Sequence, residues 1–248
     1  MVPWETLRRL LGLPANMEPP DSAELVRLAV EQPRHARLIG MALRGRAPKE
    51  APAAMLVAAY ERGALPAERA VELLGCVGHA AGYETARAVL FGDSSADACT
   101  AAGVACARML GRRAEADLSI ALRVTASREA REGAALGLCE LGTSEAAATV
   151  AEAGRDGRIR IRLAARCAAR MPFDAEFWLE QLESSDARCR RYGTELVYEL
   201  LASSAAGDAR ERLEELGERG KDAVRAALGD ESLYMLPEKR EILARWTR

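Results

Sequence analysis

Chemistry needs nucleophiles, acids, bases or metal ligands at a workable spacing, and this chain offers few. It has two histidines, His35 and His79, and neither stands in a recognised metal-ligand motif. His79 follows Gly78, where the spacing predicts a helix end whose last carbonyls it can bond. His35 lies early in a predicted helix, on its exposed side. The six cysteines, Cys76, Cys99, Cys106, Cys139, Cys167 and Cys189, form no CxxC pair and sit among apolar or small residues. They read as reduced, packed thiols rather than as a disulfide or metal framework. Neither a GxSxG elbow, a GxxxxGK[ST] phosphate loop nor a GxGxxG fingerprint occurs. The residues call for no cofactor and no catalytic set.

One basic row stands out. Arg158, Arg162, Arg166 and Arg170 recur every fourth residue, although Arg158-Ile159-Arg160-Ile161-Arg162 alternates locally like a strand. On a helix the four would form a rail roughly 18 Å long at about 1.5 Å per residue. Like charges at this spacing repel by only a few tenths of a kcal/mol per pair, roughly, so the row does not demand a function. One reading is a solvated face whose arginine stems cover apolar surface. The other is an anion-binding strip, widened by Arg188 and Arg191 on one side and by Arg128 and Arg131 on the other. No aromatic residue is interleaved, which gives base stacking no support.

The elements that position these residues follow from composition and spacing. The 248 residues are 49% hydrophobic and 29% charged but only 4% aromatic, and Ala, Leu, Val, Arg and Glu dominate. Those are largely helix formers, and runs of strand formers are missing. The net charge of −2 lacks the basic excess of a typical nucleic-acid binder. No apolar run suggests a membrane span and the first residues do not read as a signal peptide. The expectation is a cytoplasmic protein.

A repeat emerges on stacking. Ser127, Asp156 and Asp186 each precede, by four residues, the arginines Arg131, Arg160 and Arg190. Ser and Asp are good N-caps because their oxygens accept from the free amides of the first turn. Four residues after each Arg stand Ala135, Ala164 and Thr194. Seven after stand Leu138, Cys167 and Val197, and eleven after stand Gly142, Met171 and Leu201. These offsets share one helical face. Two earlier copies, Val104-Ala107-Gly111 and Val71-Leu74-Gly78, lack the Arg, and the spacings run 33, 31, 29 and 30 residues. Small residues in these columns predict close helix approach. Gly78, Gly111 and Gly142 can take the left-handed cap conformation, and Pro172 stops the fourth first helix. Second helices are expected near 82–91, 114–123, 144–153, 174–184 and 208–218. Outside the repeats, helices are expected at 1–13 with Trp4, Leu7, Leu10 and Leu11 inward, at 22–32 after the cap Asp21, at 34–45 and at 50–63. A last helix opens at Pro237 with Ile242, Leu243 and Trp246 inward.

The Asp-x-x-apolar-Arg start, the small columns and the thirty-residue period resemble HEAT repeats of the short bacterial kind, also seen in phycobilisome lyases, over about residues 67–222. The resemblance implies an armadillo-like, all-α, right-handed α-solenoid of stacked helix pairs. It would be one domain over 1–248, with less regular helices over 1–66, five repeats over 67–222 and capping helices over 223–248. It also implies that the recurring Arg bonds across to a neighbouring repeat. The usual concave surface would carry Glu84, Arg87, Asp117, Glu145, Glu176 and Glu180, an acidic set opposite a basic patch near Arg162. The function implied is a non-catalytic scaffold or adaptor that binds another protein, with Arg158, Arg162, Arg166, Arg170, Arg188 and Arg191 as the candidate binding residues. An alternative is a lyase or lyase subunit holding a tetrapyrrole and its acceptor protein. A third is nucleic-acid binding of the HEAT-like glycosylase kind, which uses an Asp near aromatic side chains, here Asp174 near Trp178. Against it, the charge balance is not basic, and Asp174 reads as the N-cap of the helix after Pro172.

Overall fold

In a computed structural model the structure describes residues 4–16, 18–44, 46, 48–202, 206–230, 233 and 235–248. Among these residues the regular structure is entirely helical, and the chain packs into two compact units, Met1–Leu141 and Gly142–Arg248.

The first unit holds α1 (Trp4–Leu10), α2 (Ser22–Glu31), α3 (Ala36–Leu43), α4 (Glu50–Glu61) and α5 (Ala67–Val77), followed by α6 (Tyr83–Phe91), α7 (Ala96–Leu110), α8 (Glu115–Val124) and α9 (Arg128–Leu141). Helix starts follow the local signals. Asp21 forms a capping box with Glu24, each side chain accepting from the other residue's amide. Ser95 caps α7 and Ser127 caps α9. Gly78, Gly111 and Gly142 all have positive φ, and at Gly111 ψ is −138°, outside the left-handed helical well. α3, α5, α7 and α9 pack as a row, each on the next, while α4, α6 and α8 lie respectively on α5, α7 and α9. Of the residues expected inward near the start, Leu11 is buried but Leu10 is 52% exposed. It is the final residue of α1, with little helix left to pack. Residues 1–3 and the Leu7 side chain, parts of the same expectation, lie outside the described residues.

The row is tight because its contact positions carry almost no side chain. A Cβ on Gly103 would overlap the carbonyl of Gly133, one on Gly133 would overlap the carbonyl of Cys99, and one on Gly137 that of Gly103. At α5–α7, a Cβ on Gly75 would stand 3.0 Å from that of Ala105. These close contacts lie outside the repeat columns, of which Val71, Leu74, Ala107, Ala135 and Leu138 are buried, Val104 is half-buried and Gly111 is exposed.

The second unit holds α10 (Ser144–Arg155), α11 (Ile161–Ala168), α12 (Ala175–Glu183), α13 (Ala187–Ala202), α14 (Ala206–Gly229, broken at Gly217) and α15 (Pro237–Trp246). α10 lies on α11, α11 on α13, and α12 contacts both α13 and α14. Here large side chains fill the space. Trp178 packs on Tyr192 with ring centroids 4.8 Å apart, and both are buried. α15 closes on α13 through Leu243, with Ile242 and Trp246 half-buried.

Asp156 departs from the expected role of N-cap. It is the C-cap of α10, because Gly157, at φ +72°, lets the amide of Arg158 bond back to the carbonyl of Ala153 at 2.9 Å. α11 therefore opens only at Ile161, with Arg160 as its cap residue.

Candidate functional site

The short α11 reshapes the basic row. The eight-residue helix holds only Arg162 and Arg166, one turn apart. Arg158 lies in the link before it and pairs with Asp156 at 3.3 Å. Arg170 lies in the turn beyond it, where its amide bonds to the carbonyl of Cys167 and where Pro172 forbids continuation. The continuous rail over four turns is thus replaced by a pair on α11 with a flanking arginine at each end. The strand reading has no place, since Ile159 is buried and Ile161 starts the helix.

α13 packs beside α11 and brings Arg188 and Arg191 to the same unit, both exposed. Arg166 reaches Glu199 of α13 at 3.6 Å. Arg162, Arg170, Arg188 and Arg191 are exposed and make no ion pair among the described residues.

The recurring Arg does bond onward at Arg190. It donates to the carbonyls of Ser184 and Ser185 and to Asp230, at 2.9, 2.7 and 2.6 Å. One arginine thereby ties the α12–α13 link to the end of α14. Similar ties join other helices that pack on one another. Arg108 of α7 meets Glu140 of α9 at 2.7 Å. Arg219 of α14 meets Glu183 and Glu176 of α12 at 2.6 and 3.0 Å.

The expected acidic set is partly neutralised by the same means. Asp117 accepts from the Tyr83 hydroxyl at 2.6 Å and from Arg87 at 2.9 Å, while Arg87 also approaches Glu84. Burial and this hydrogen bond push the Tyr83 hydroxyl well above the usual phenol range. The Arg219 guanidinium, donating to both oxygens of Glu183, holds that carboxyl below its ordinary value. Glu145 and Glu180 remain exposed.

None of the six cysteines is in a disulfide, and all lie buried or half-buried. Burial, reinforced by the nearby Asp117, pushes Cys106 up to about 12, so it stays a protonated thiol at neutral pH. Among the described residues no three His, Cys, Asp or Glu side chains gather as a metal site. His79 differs from its expected role: its Nδ1 accepts from the amide of Ala81 at 3.2 Å and caps the short turn that follows. His35 is half-buried at the start of α3 rather than exposed, because the preceding turn from Pro33 folds it back.

Two features escaped the sequence reading. The first is Lys239, 5% exposed, whose Nζ donates to the buried Glu195 and lies 4.3 Å from the centroid of the Tyr198 ring. A cation four residues before the buried Leu243, on the inner side of α15, was the available signal. The second is a cavity of about 280 Å³ within the second unit. Ser144, Ala147, Ala148 and Ala151 of α10 line one side, at offsets of 3, 4 and 7 along one helix face. Pro172, Phe173, Asp174, Phe177 and Trp178 line the other. Asp174 is the N-cap of α12, accepting from the amide of Phe177 at 3.2 Å, as the sequence predicts.

Compared with known proteins, the chain matches no protein-family model and no curated protein. Among the described residues no helix is long and apolar enough to cross a membrane.

Proposed function

We propose that the protein is a non-catalytic scaffold of HEAT-like helix pairs, a solenoid whose surface binds the acidic face of another protein. Repeats of this kind bury their inner faces against neighbours and leave long outer rows for contact. The observation that carries the reading is the group of exposed arginines on adjacent α11 and α13: Arg162, Arg188 and Arg191, with Arg170 at the helix end. The bodies of both helices are anchored by buried Ala164, Cys167, Tyr192 and Val197, so the cations stand on a rigid support. Guanidinium groups suit such a role because each presents planar donors to carboxylates and stays charged at all physiological pH values.

The test has two steps. The protein is purified from its native host under mild conditions, and a stoichiometric protein partner is identified by mass spectrometry. The partner's affinity is then measured for the wild type and for the double variant Arg162→Glu, Arg191→Glu. A loss of about tenfold or more, with a marked salt dependence, is expected for complementary charges. Unchanged affinity removes the arginine face from the reading. Co-purification with nucleic acid or a pigment in place of a protein overturns the scaffold reading itself.

A further inference from the structure

We propose that the cavity between α10 and α12 is an anchor site for an extended segment of a partner protein, taking one aromatic side chain next to a lysine or arginine in that segment. The proposal rests on the scaffold reading but not on the arginine face.

The walls specify an apolar guest. Ala151, Ala168 and Trp178 are buried and form the floor, while Ser144, Ala148, Pro172 and Asp174 are exposed and edge the mouth. Four small or short side chains on α10 make that wall recede, and the aromatic side of the cavity is stiff. Phe177 meets Trp178 edge-to-face at 5.1 Å, and Trp178 is held from behind by Tyr192. Phe173 is held by the Arg212 guanidinium, 5.6 Å from its ring centroid, while Arg212 also donates to the carbonyl of Ala169 at 2.8 Å. The aromatic wall therefore needs no reorganisation to receive a ring, and rings pack well edge-to-face or offset against rings.

Size selects a single side chain. A cavity of about 150 Å³ accommodates a benzene-sized ring, so about 280 Å³ suits an indole or a phenyl ring with its stem. Pockets that enclose a whole small ligand run from roughly 300 to 1,000 Å³.

Charge selects the neighbour. Asp174 is the one ionisable residue in the lining, and it is exposed at the mouth. One of its oxygens, Oδ1, is engaged by the Phe177 amide. Among the described residues no cation pairs with the carboxylate, so it can accept from an incoming ammonium or guanidinium group. A basic residue beside the aromatic anchor places its charge there.

The experiment uses two short capped peptides, acetyl-Ala-Trp-Lys-Ala-amide and acetyl-Ala-Trp-Glu-Ala-amide, with tryptamine as a third probe. Each is titrated into the full-length 15N-labelled protein while amide shifts are followed by NMR. The Trp-Lys peptide is expected to bind with Kd on the order of a millimolar and to shift residues 144–151 and 172–178. The Trp-Glu peptide is expected to bind at least about threefold more weakly. Ala148→Phe, at an exposed position on the mouth, is expected to abolish the shifts. Asp174→Asn keeps a capping side chain and is expected to erase the preference for Lys over Glu. Equal binding of the two peptides, or shifts scattered away from the cavity, overturns the proposal. Binding of tryptamine as tight as that of the Trp-Lys peptide also overturns it, in favour of a small organic cation. Peptide binding that survives while the arginine variants retain their partner isolates the failure to the arginine face. The reverse pattern isolates it to the cavity.

Discussion

In the first unit α7 and α9 meet backbone to backbone, through Gly103, Gly133 and Gly137. In the second unit α12 and α13 meet through Trp178 and Tyr192, two of the larger side chains in the molecule. Both arrangements exclude water, but they respond differently to change. A glycine contact has no side chain that can rotate away, so an added atom must move a helix. An aromatic contact leaves irregular space at its edges, and the α10–α12 cavity lies at such an edge. Close packing thus joins the backbones of α7 and α9, while the large residues of the second unit border a recess with aromatic walls.

The largest expected effect attacks the first kind of contact. Gly133→Val should cost about 4 kcal/mol or more, because overpacking against backbone has no cheap relief. Urea unfolding measures it, with Gly229→Ala as the control, since a Cβ there meets nothing within 4 Å. A cost under about 1 kcal/mol would show that the helices can separate, and the contrast would fail.

Next comes the buried pair of the second unit. Lys239→Met leaves Glu195 buried without its cation and should cost about 3 kcal/mol. Adding Glu195→Gln to it should recover most of the loss, because the desolvated charge is gone. No recovery would mean that α15 is held by the shape of Lys239 and its contact with Tyr198 rather than by charge.

The smallest effect concerns the exposed ties. Arg219 holds Glu183 below its ordinary carboxylate pKa, so the unfolded chain binds the proton more readily than the folded one. The stability from this tie is present at neutral pH and is lost as pH falls through the lowered folded value. Arg219→Gln should therefore lower Tm slightly at pH 7, and the difference from wild type should vanish in acid or in high salt. A difference that persists in acid would mean that Arg219 acts through packing.

Much of the helical layout was legible because its signals are local. Asp21, Ser127 and Asp174 cap helices where the spacing predicts them, and Pro237 opens the last helix. The exception at Asp156 is equally local. A glycine after an Asp serves the helix before it as readily as the Asp serves the helix after it, and Gly157 decided the competition. The arginines were legible as a row but not as a site, since a four-residue spacing says which side they share only while the helix lasts.

The sequence by itself determined the all-helical class, most helix boundaries and most of the buried columns, but not which glycines meet across α7 and α9. The first three depend on hydrogen bonds and periodicities within about four residues. Only the tertiary structure decided which charges meet. Arg87 with Asp117, Arg190 with Asp230 and Lys239 with Glu195 are partners 30 to 44 residues apart. It also decided that three alanine positions on α10 face three aromatic residues across a gap. A recess is what packing leaves unfilled, and that depends on the volumes of side chains brought together from separate helices.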